Sequence, residues 1–175
     1  MVFVLRRAAL FIAIVLAWAL LAAAVAHSAT LDREVVAFSG FAPGTIVVKT
    51  GKRRLYYVID EQRALRFSVG VGRSGKTWTG RARVEGKYVR PAWAPPQAIR
   101  GEHPNLPDVI AGGAANNPMG AAALMLRGGE YAIHGTNRPA SIGGFVSYGC
   151  IRMHNRDIVE LYRLVAVGTP VIVER

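Results

Sequence analysis

One cysteine occurs in the 175 residues, in the run Val146-Ser147-Tyr148-Gly149-Cys150-Ile151-Arg152-Met153, and sixteen residues before it lies His134 in Ile133-His134-Gly135-Thr136. A thiol becomes a strong nucleophile when a neighbouring base lowers its pKa or takes its proton. Gly149 lets a substrate approach the backbone closely. The amides of Gly149 and Cys150 are candidates for an oxyanion hole, and Arg152 has the fork geometry that pairs with a carboxylate. His134 is the candidate base. Its ring needs a third group to orient it, and with no acid near it in sequence that group is the Gly135 carbonyl or a side chain distant in sequence. These parts belong to cysteine acyl transfer or hydrolysis. Ser147 fits either a donor to substrate or a local turn residue. A zinc site from His134, Cys150 and His154 is set aside, because no paired-ligand spacing accompanies them. His103 and His154 are expected to be exposed, and His27 goes with the N-terminal leader.

The elements that must position these residues are mostly strands. Thr45–Thr50 is β-branched between two glycines, and Arg54–Asp60 follows across a Gly51-Lys52-Arg53 turn. Ala64–Val71 alternates apolar and polar residues. Ala82–Val89, Ala122–Leu126, Tyr131–His134 and Pro170–Glu174 complete the strands, so that His134 ends one of them. Ile158, Leu161, Tyr162 and Val165 form one apolar helical stripe. That helix is expected to be capped by Asn155 and ended by Gly168 and Pro170. Between Arg90 and Gly120 there are six prolines and no periodic run. This segment is expected to lack regular structure and to act as a lid or rim over a cleft.

Composition supplies an address. Residues 1–26 contain Arg6 and Arg7, then an uncharged stretch, then Ala24-Val25-Ala26, which is the pattern of a cleaved signal peptide; an uncleaved anchor is the rival reading. Residues 27–44 then read as a short lead-in and 45–175 as one catalytic domain, expected to lie outside the cytoplasm in the periplasm or cell envelope. Membrane association follows if the leader stays. The full chain carries +11, and residues 1–26 hold two arginines and no acid, so the remainder carries +9. Such a protein is drawn to anionic surfaces. No base-reading motif is present, so nucleic acid is not expected as a partner. In an oxidising compartment a lone cysteine beside glycine reads best as a working thiol.

The runs Ile133-His134-Gly135-Thr136-Asn137 and Ser147-Tyr148-Gly149-Cys150-Ile151-Arg152-Met153, with Asn155 and Asp157, resemble the L,D-transpeptidase catalytic domains of the YkuD fold family. The resemblance covers roughly Thr45 to Glu174. Leu55-Tyr56-Tyr57-Val58, Val69-Gly70-Val71-Gly72-Arg73, Pro91-Ala92-Trp93-Ala94-Pro95-Pro96 and Asn117-Pro118-Met119-Gly120 are similar to its Gram-negative envelope branch. The resemblance implies a mainly β, sandwich-like fold of mixed sheets with one helix after the cysteine. It implies Cys150 as nucleophile and His134 as base, with the Gly135 main chain orienting the ring. Gly149 and Cys150 amides would form part of the oxyanion hole, and Ser147, Tyr148 and Arg152 would position substrate.

The implied reaction opens a peptidoglycan stem tetrapeptide at diaminopimelate, releases D-alanine and leaves a thioester. An amine from another stem, or from an anchored envelope protein, resolves the thioester. No cofactor or metal is implied. Many family members carry histidine where this chain has Tyr148, so any donor role there passes to a phenol. An L,D-carboxypeptidase, with water as acceptor, is the alternative within the enzyme class. A non-catalytic wall-binding domain is the alternative outside it.

Overall fold

The computed structural model describes residues 33–128 and 131–175. The expected leader, His27 and the first part of the lead-in lie outside the described residues. The strands are β1 (Arg33–Ala37), β2 (Ile46–Lys49), β3 (Arg54–Val58) and β4 (Arg63–Ser68). After these come the two-residue β5 (Val71–Gly72) and the ten-residue β6 (Gly80–Val89). Then follow β7 (Ala122–Leu126), β8 (Ala132–His134), β9 (Phe145–Ser147), β10 (Ile151–Arg152) and β11 (Pro170–Glu174). Two helices are described, α1 (Gln97–Glu102) and α2 (Asn155–Leu164).

Among the described residues, nine strands form one mixed sheet in the order β1-β4-β3-β2-β11-β6-β7-β8-β10, and β5 pairs with β9 separately. β6 belongs to both halves of the large sheet. It pairs with β11 through Gly80–Arg83 and with β7 through Val84–Val89, and its register to β7 slips between Val84 and Gly86. A bulge at that point bends a strand and raises its twist. Ile46, Val48, Leu55 and Phe67 from one half meet Leu124, Ile133, Ile151 and Met153 from the other in one core, closed by Ile158, Leu161 and Val165 around α2. Each such fully buried aliphatic or aromatic side chain contributes about 1.5–3 kcal/mol by leaving water. The mainly β, mixed-sheet expectation and the single long helix agree with this architecture.

Four local expectations are corrected. Residues 33–37, read as lead-in, form β1 against β4, with Val36 and Phe38 against Tyr56, Val58 and Ala64. Phe38 stacks on Tyr56 at 4.3 Å and on Phe41 at 5.3 Å, contacts worth roughly 0.5–1.5 kcal/mol each beyond burial. The strand expected over Ala64–Val71 breaks after Ser68, because Gly70 leaves β4 to bridge Arg152 while Val71 turns to Phe145. The short strands β9 and β10 have too few residues to display a period.

The proline-rich segment is ordered, not structureless. It holds α1, a bridge between Trp93 and Ile110, and a buried Asn117 whose amide donates to Pro91 O and Ala111 O at 2.9 Å each. Asn117 Oδ1 also accepts from Met119 N at 2.8 Å. Buried polar groups of a loop need such partners, and one asparagine here satisfies several.

The helix cap is the fourth correction. His154 is the N-cap residue of α2 and contributes no side-chain cap bond, while Asn155 is the first helical residue. The Asn155 side chain reaches backwards instead. Oδ1 accepts from Ala121 N and Thr136 N at 3.0 Å each, and Nδ2 donates to Thr136 O at 3.0 Å. A Cβ at Gly135 would collide with Asn155 Oδ1, so glycine is required there for the chain to pass. This clamp ties the start of α2 to the segment that follows His134. Asn155→Ala leaves two amides without their acceptor and is expected to lower stability by about 2 kcal/mol, measured by urea unfolding. Arg163→Ala, on the exposed side of the same helix, should change it by less than about 0.5 kcal/mol.

Candidate active site

β8 and β10 run parallel, with Ile133 beside Ile151 and His134 beside Arg152. Side chains alternate between the faces of a strand. Ile133 and Ile151 point into the main core. His134, Arg152 and Cys150, the residue just before β10, therefore share the opposite face. Cys150 packs there with Met119, Ala123 and Ala132. His134 and Cys150 line one cavity of about 490 Å³ together with Arg152, Tyr148, Trp93 and Tyr131. The structure thus brings the predicted thiol, imidazole and guanidinium to one place.

His134 is buried, with Nδ1 2.7 Å from Gly135 O. A carbonyl only accepts, so this contact assigns the ring proton to Nδ1; the Pro118 carbonyl also lies within hydrogen-bonding reach of the ring. Burial, with the Arg152 charge adding to it, pulls the imidazole pKa from 6.5 down to about 4. The ring is therefore neutral at neutral pH. Burial pushes the Cys150 thiol up, opposed by the Ala132 main chain and by Arg152. Arg152 is itself partly desolvated, which lowers its pKa, and its buried Nε has no hydrogen-bond partner among the described residues. No acid on a neighbouring strand pairs with Arg152 among the described residues.

The supporting residues fall out differently from the expectation. Ser147 is buried, and its hydroxyl donates to Cys150 O at 2.6 Å and accepts from Gly149 N at 3.1 Å. It braces the turn, and its proton is not directed to a substrate. The same hydroxyl thus engages the Gly149 N–H in this structure. For the Cys150 N–H no acceptor is found among the described residues. Gly149 has φ +123°, and a Cβ there would run into the Tyr131 ring. The Tyr148 phenol donates to the Glu102 carboxylate on α1, and the Arg73 guanidinium lies 4.2 Å from the centre of its ring. Arg73 also pairs with Glu102 at 2.6 Å. The hydroxyl expected to stand in for a second imidazole is held by an acid.

Sequence reasoning missed Glu102, Arg73 and Trp78 as parts of this site. Glu102 and Arg73 lie far apart in the chain and carry no local pattern. Trp78 Nε1 donates to Gly149 O at 2.9 Å, a contact that only the tertiary fold creates. The proline-rich segment supplies Trp93, Pro96, Ala98 and Ile99 to the cavity wall. His103 is exposed, as expected, and lines a second cavity of about 360 Å³ with Arg73, Arg138, Tyr148 and Arg152. His154 is half-buried where exposure was expected, because the chain turns there into α2. Among the described residues no group of three His, Cys, Asp or Glu side chains is placed to hold a metal ion.

Comparison with known proteins places this arrangement. The family model for the L,D-transpeptidase catalytic domain, YkuD, matches residues 43–173. Probable L,D-transpeptidase YbiS of Escherichia coli K12 is 39% identical over 135 residues, 72% of this chain and 43% of YbiS. The chain thus spans less than half the length of that relative. Putative L,D-transpeptidase YkuD of Bacillus subtilis is 57% identical over 58 residues, covering 33% of this chain and 35% of its own. The crystal structure of L,D-transpeptidase 3 from Mycobacterium tuberculosis superposes with a TM-score of 0.61 at 18% identity, over 75% of this chain and 60% of that one, a likeness of fold. With its family match running from the turn before β2 into β11 and taking in both His134 and Cys150, the chain belongs to the YkuD family of L,D-transpeptidase catalytic domains.

Proposed function

We propose that this protein is an exported, cysteine-dependent peptidoglycan L,D-transpeptidase. The observation that carries the reading is one cavity wall holding Cys150 and a neutral His134 whose Nδ1 proton is engaged by Gly135 O. His134 Nε2 takes the thiol proton as Cys150 Sγ attacks the carbonyl of diaminopimelate in a stem tetrapeptide. The tetrahedral oxyanion forms against the Cys150 N–H. The imidazolium then protonates the leaving D-alanine amine, and a thioester remains. An acceptor amine from another stem attacks the thioester, gives a proton to His134 and restores the thiol. Arg152, short of hydrogen-bond partners in the wall, is suited to a substrate carboxylate. No bound metal or organic group takes part in these steps.

Burial of both groups serves this order of events. A neutral thiol beside a neutral imidazole holds no permanent charge in a poorly solvated wall, and charge develops only with substrate present. The second cavity adjoins the first at Tyr148, Ile99 and Arg152 and offers room for an acceptor, which supports transfer over hydrolysis. An anchored envelope protein is a further acceptor of the same chemistry. The leader over residues 1–26 and the basic remainder support a periplasmic site of action on an anionic wall. Among the described residues no helix is long and apolar enough to cross a membrane.

Exposure to a carbapenem, followed by intact-protein mass spectrometry, should add one inhibitor mass to the wild type and none to Cys150→Ala. An equal adduct on Cys150→Ala would remove Cys150 as the nucleophile. Purified stem-peptide fragments should yield crosslinked dimers; tripeptides alone would make the enzyme an L,D-carboxypeptidase. Tyr148→Phe keeps the ring under Arg73 and loses only the bond to Glu102, so its acylation rate should stay within about twofold of wild type.

The buried imidazole also sets a pH dependence. The unfolded chain protonates His134 near pH 6.5, whereas the folded chain resists until about pH 4. Stability contributed by keeping the ring neutral is present above pH 6.5 and is lost as pH falls toward 4, by up to about 3 kcal/mol. Urea unfolding at pH 7 and pH 4.5 should show a loss about 2–3 kcal/mol larger for wild type than for His134→Gln. Equal losses would mean that the ring titrates normally in the fold.

A further inference from the structure

From the bond between Trp78 Nε1 and Gly149 O we infer that Trp78 is a positioning residue for the oxyanion hole, acting on the Cys150 amide, for which no acceptor is found among the described residues. A trans peptide is planar, with its C=O and N–H pointing in opposite directions, and no cis peptide is present among the described residues. The carbonyl of Gly149 and the amide of Cys150 belong to the same plane. Trp78 Nε1 holds that carbonyl at 2.9 Å. Fixing the oxygen on one side fixes the Cys150 N–H on the other, toward the site of the thiol.

Two further contacts make the anchor rigid. The Trp78 ring is stacked on Tyr131, with ring centres 5.0 Å apart and planes 8° from parallel. Tyr131 in turn lies against Gly149, at a φ of +123° that ordinary residues avoid and with no room for a Cβ. Two other groups of the turn are already engaged. Gly149 N–H goes to Ser147 Oγ, and Cys150 O accepts from the Ser147 hydroxyl. Without the indole donor, the Gly149–Cys150 peptide keeps its neighbours but loses what aims it. An oxyanion donor works by being oriented before charge develops.

This inference rests on the acyl-transfer reading, and the test separates the two. The experiment follows two reactions of Cys150 by intact-protein mass: acylation by a carbapenem, which builds an oxyanion, and alkylation by iodoacetamide, which does not. Trp78→Phe retains an aromatic ring for Tyr131 and removes the N–H. Its acylation should slow on the order of tenfold or more, with alkylation within about twofold of wild type. Acylation at the wild-type rate, or a matching fall in alkylation, overturns the positioning role; the second result would mean that Trp78 acts on the thiol or on the fold of the turn. No adduct on the wild type overturns the acyl-transfer reading, and this inference with it.

Discussion

The parallel pairing of β8 with β10 is the constraint on which the site depends. Ile133 lies beside Ile151 and His134 beside Arg152. The period of two along each strand sends the isoleucines to the core and the reactive residues to the cavity. A slip of one residue in either strand would reverse that assignment. Strands of three and two residues cannot hold a register alone. Arg152 exchanges two main-chain bonds with Gly70, at 2.9 and 2.8 Å, and Met153 N binds His134 O at 2.8 Å. Asn155 then joins the start of α2 to Ala121 and Thr136. Register is thus set by neighbours on both sides, and the core behind the isoleucines makes any other choice unfavourable.

Electrostatics at the site follow from the same packing. Placing His134 at the end of β8, beside Ala123 of β7, buries the ring and favours its neutral form. Burial also opposes ionisation of the thiol. Arg152 works on both, lowering the imidazole and the thiol pKa together. The result is a neutral imidazole and a thiol whose ionisation burial opposes.

The segment between β6 and β7 supplies part of the cavity wall and is tied to the cysteine turn. Glu102 on α1 takes both the Tyr148 phenol and the Arg73 guanidinium. A carboxylate beside a guanidinium and a phenol is held well below the usual carboxylate range by those hydrogen bonds. All three groups are solvent-exposed, so the network orients more than it stabilises. Tyr148 thereby lines the boundary between two cavities.

Much was legible in the residues themselves. A β-branched run between glycines located β2, and short apolar runs beside turn residues located β3, β7 and β11, because strand propensity and turn chemistry are local. The stripe Ile158, Leu161, Tyr162 and Val165 located α2 for the same reason. The lone cysteine, the strand-end histidine and the glycines beside them defined a reaction type, since reactivity begins with residue identity. Other features had no local signal. β1, β9 and β10 exist because of partners distant in the chain. Asn155 carries the residue type of a helix cap but spends its side chain on Ala121 and Thr136. Tyr148 and the Gly149 carbonyl keep their sequence neighbours yet bond to Glu102 and Trp78, which long-range packing supplies. The sequence by itself determined which groups can react; the tertiary structure decided which amide, which ring nitrogen and which face they use, because hydrogen-bond direction and desolvation depend on atoms brought together only by the fold.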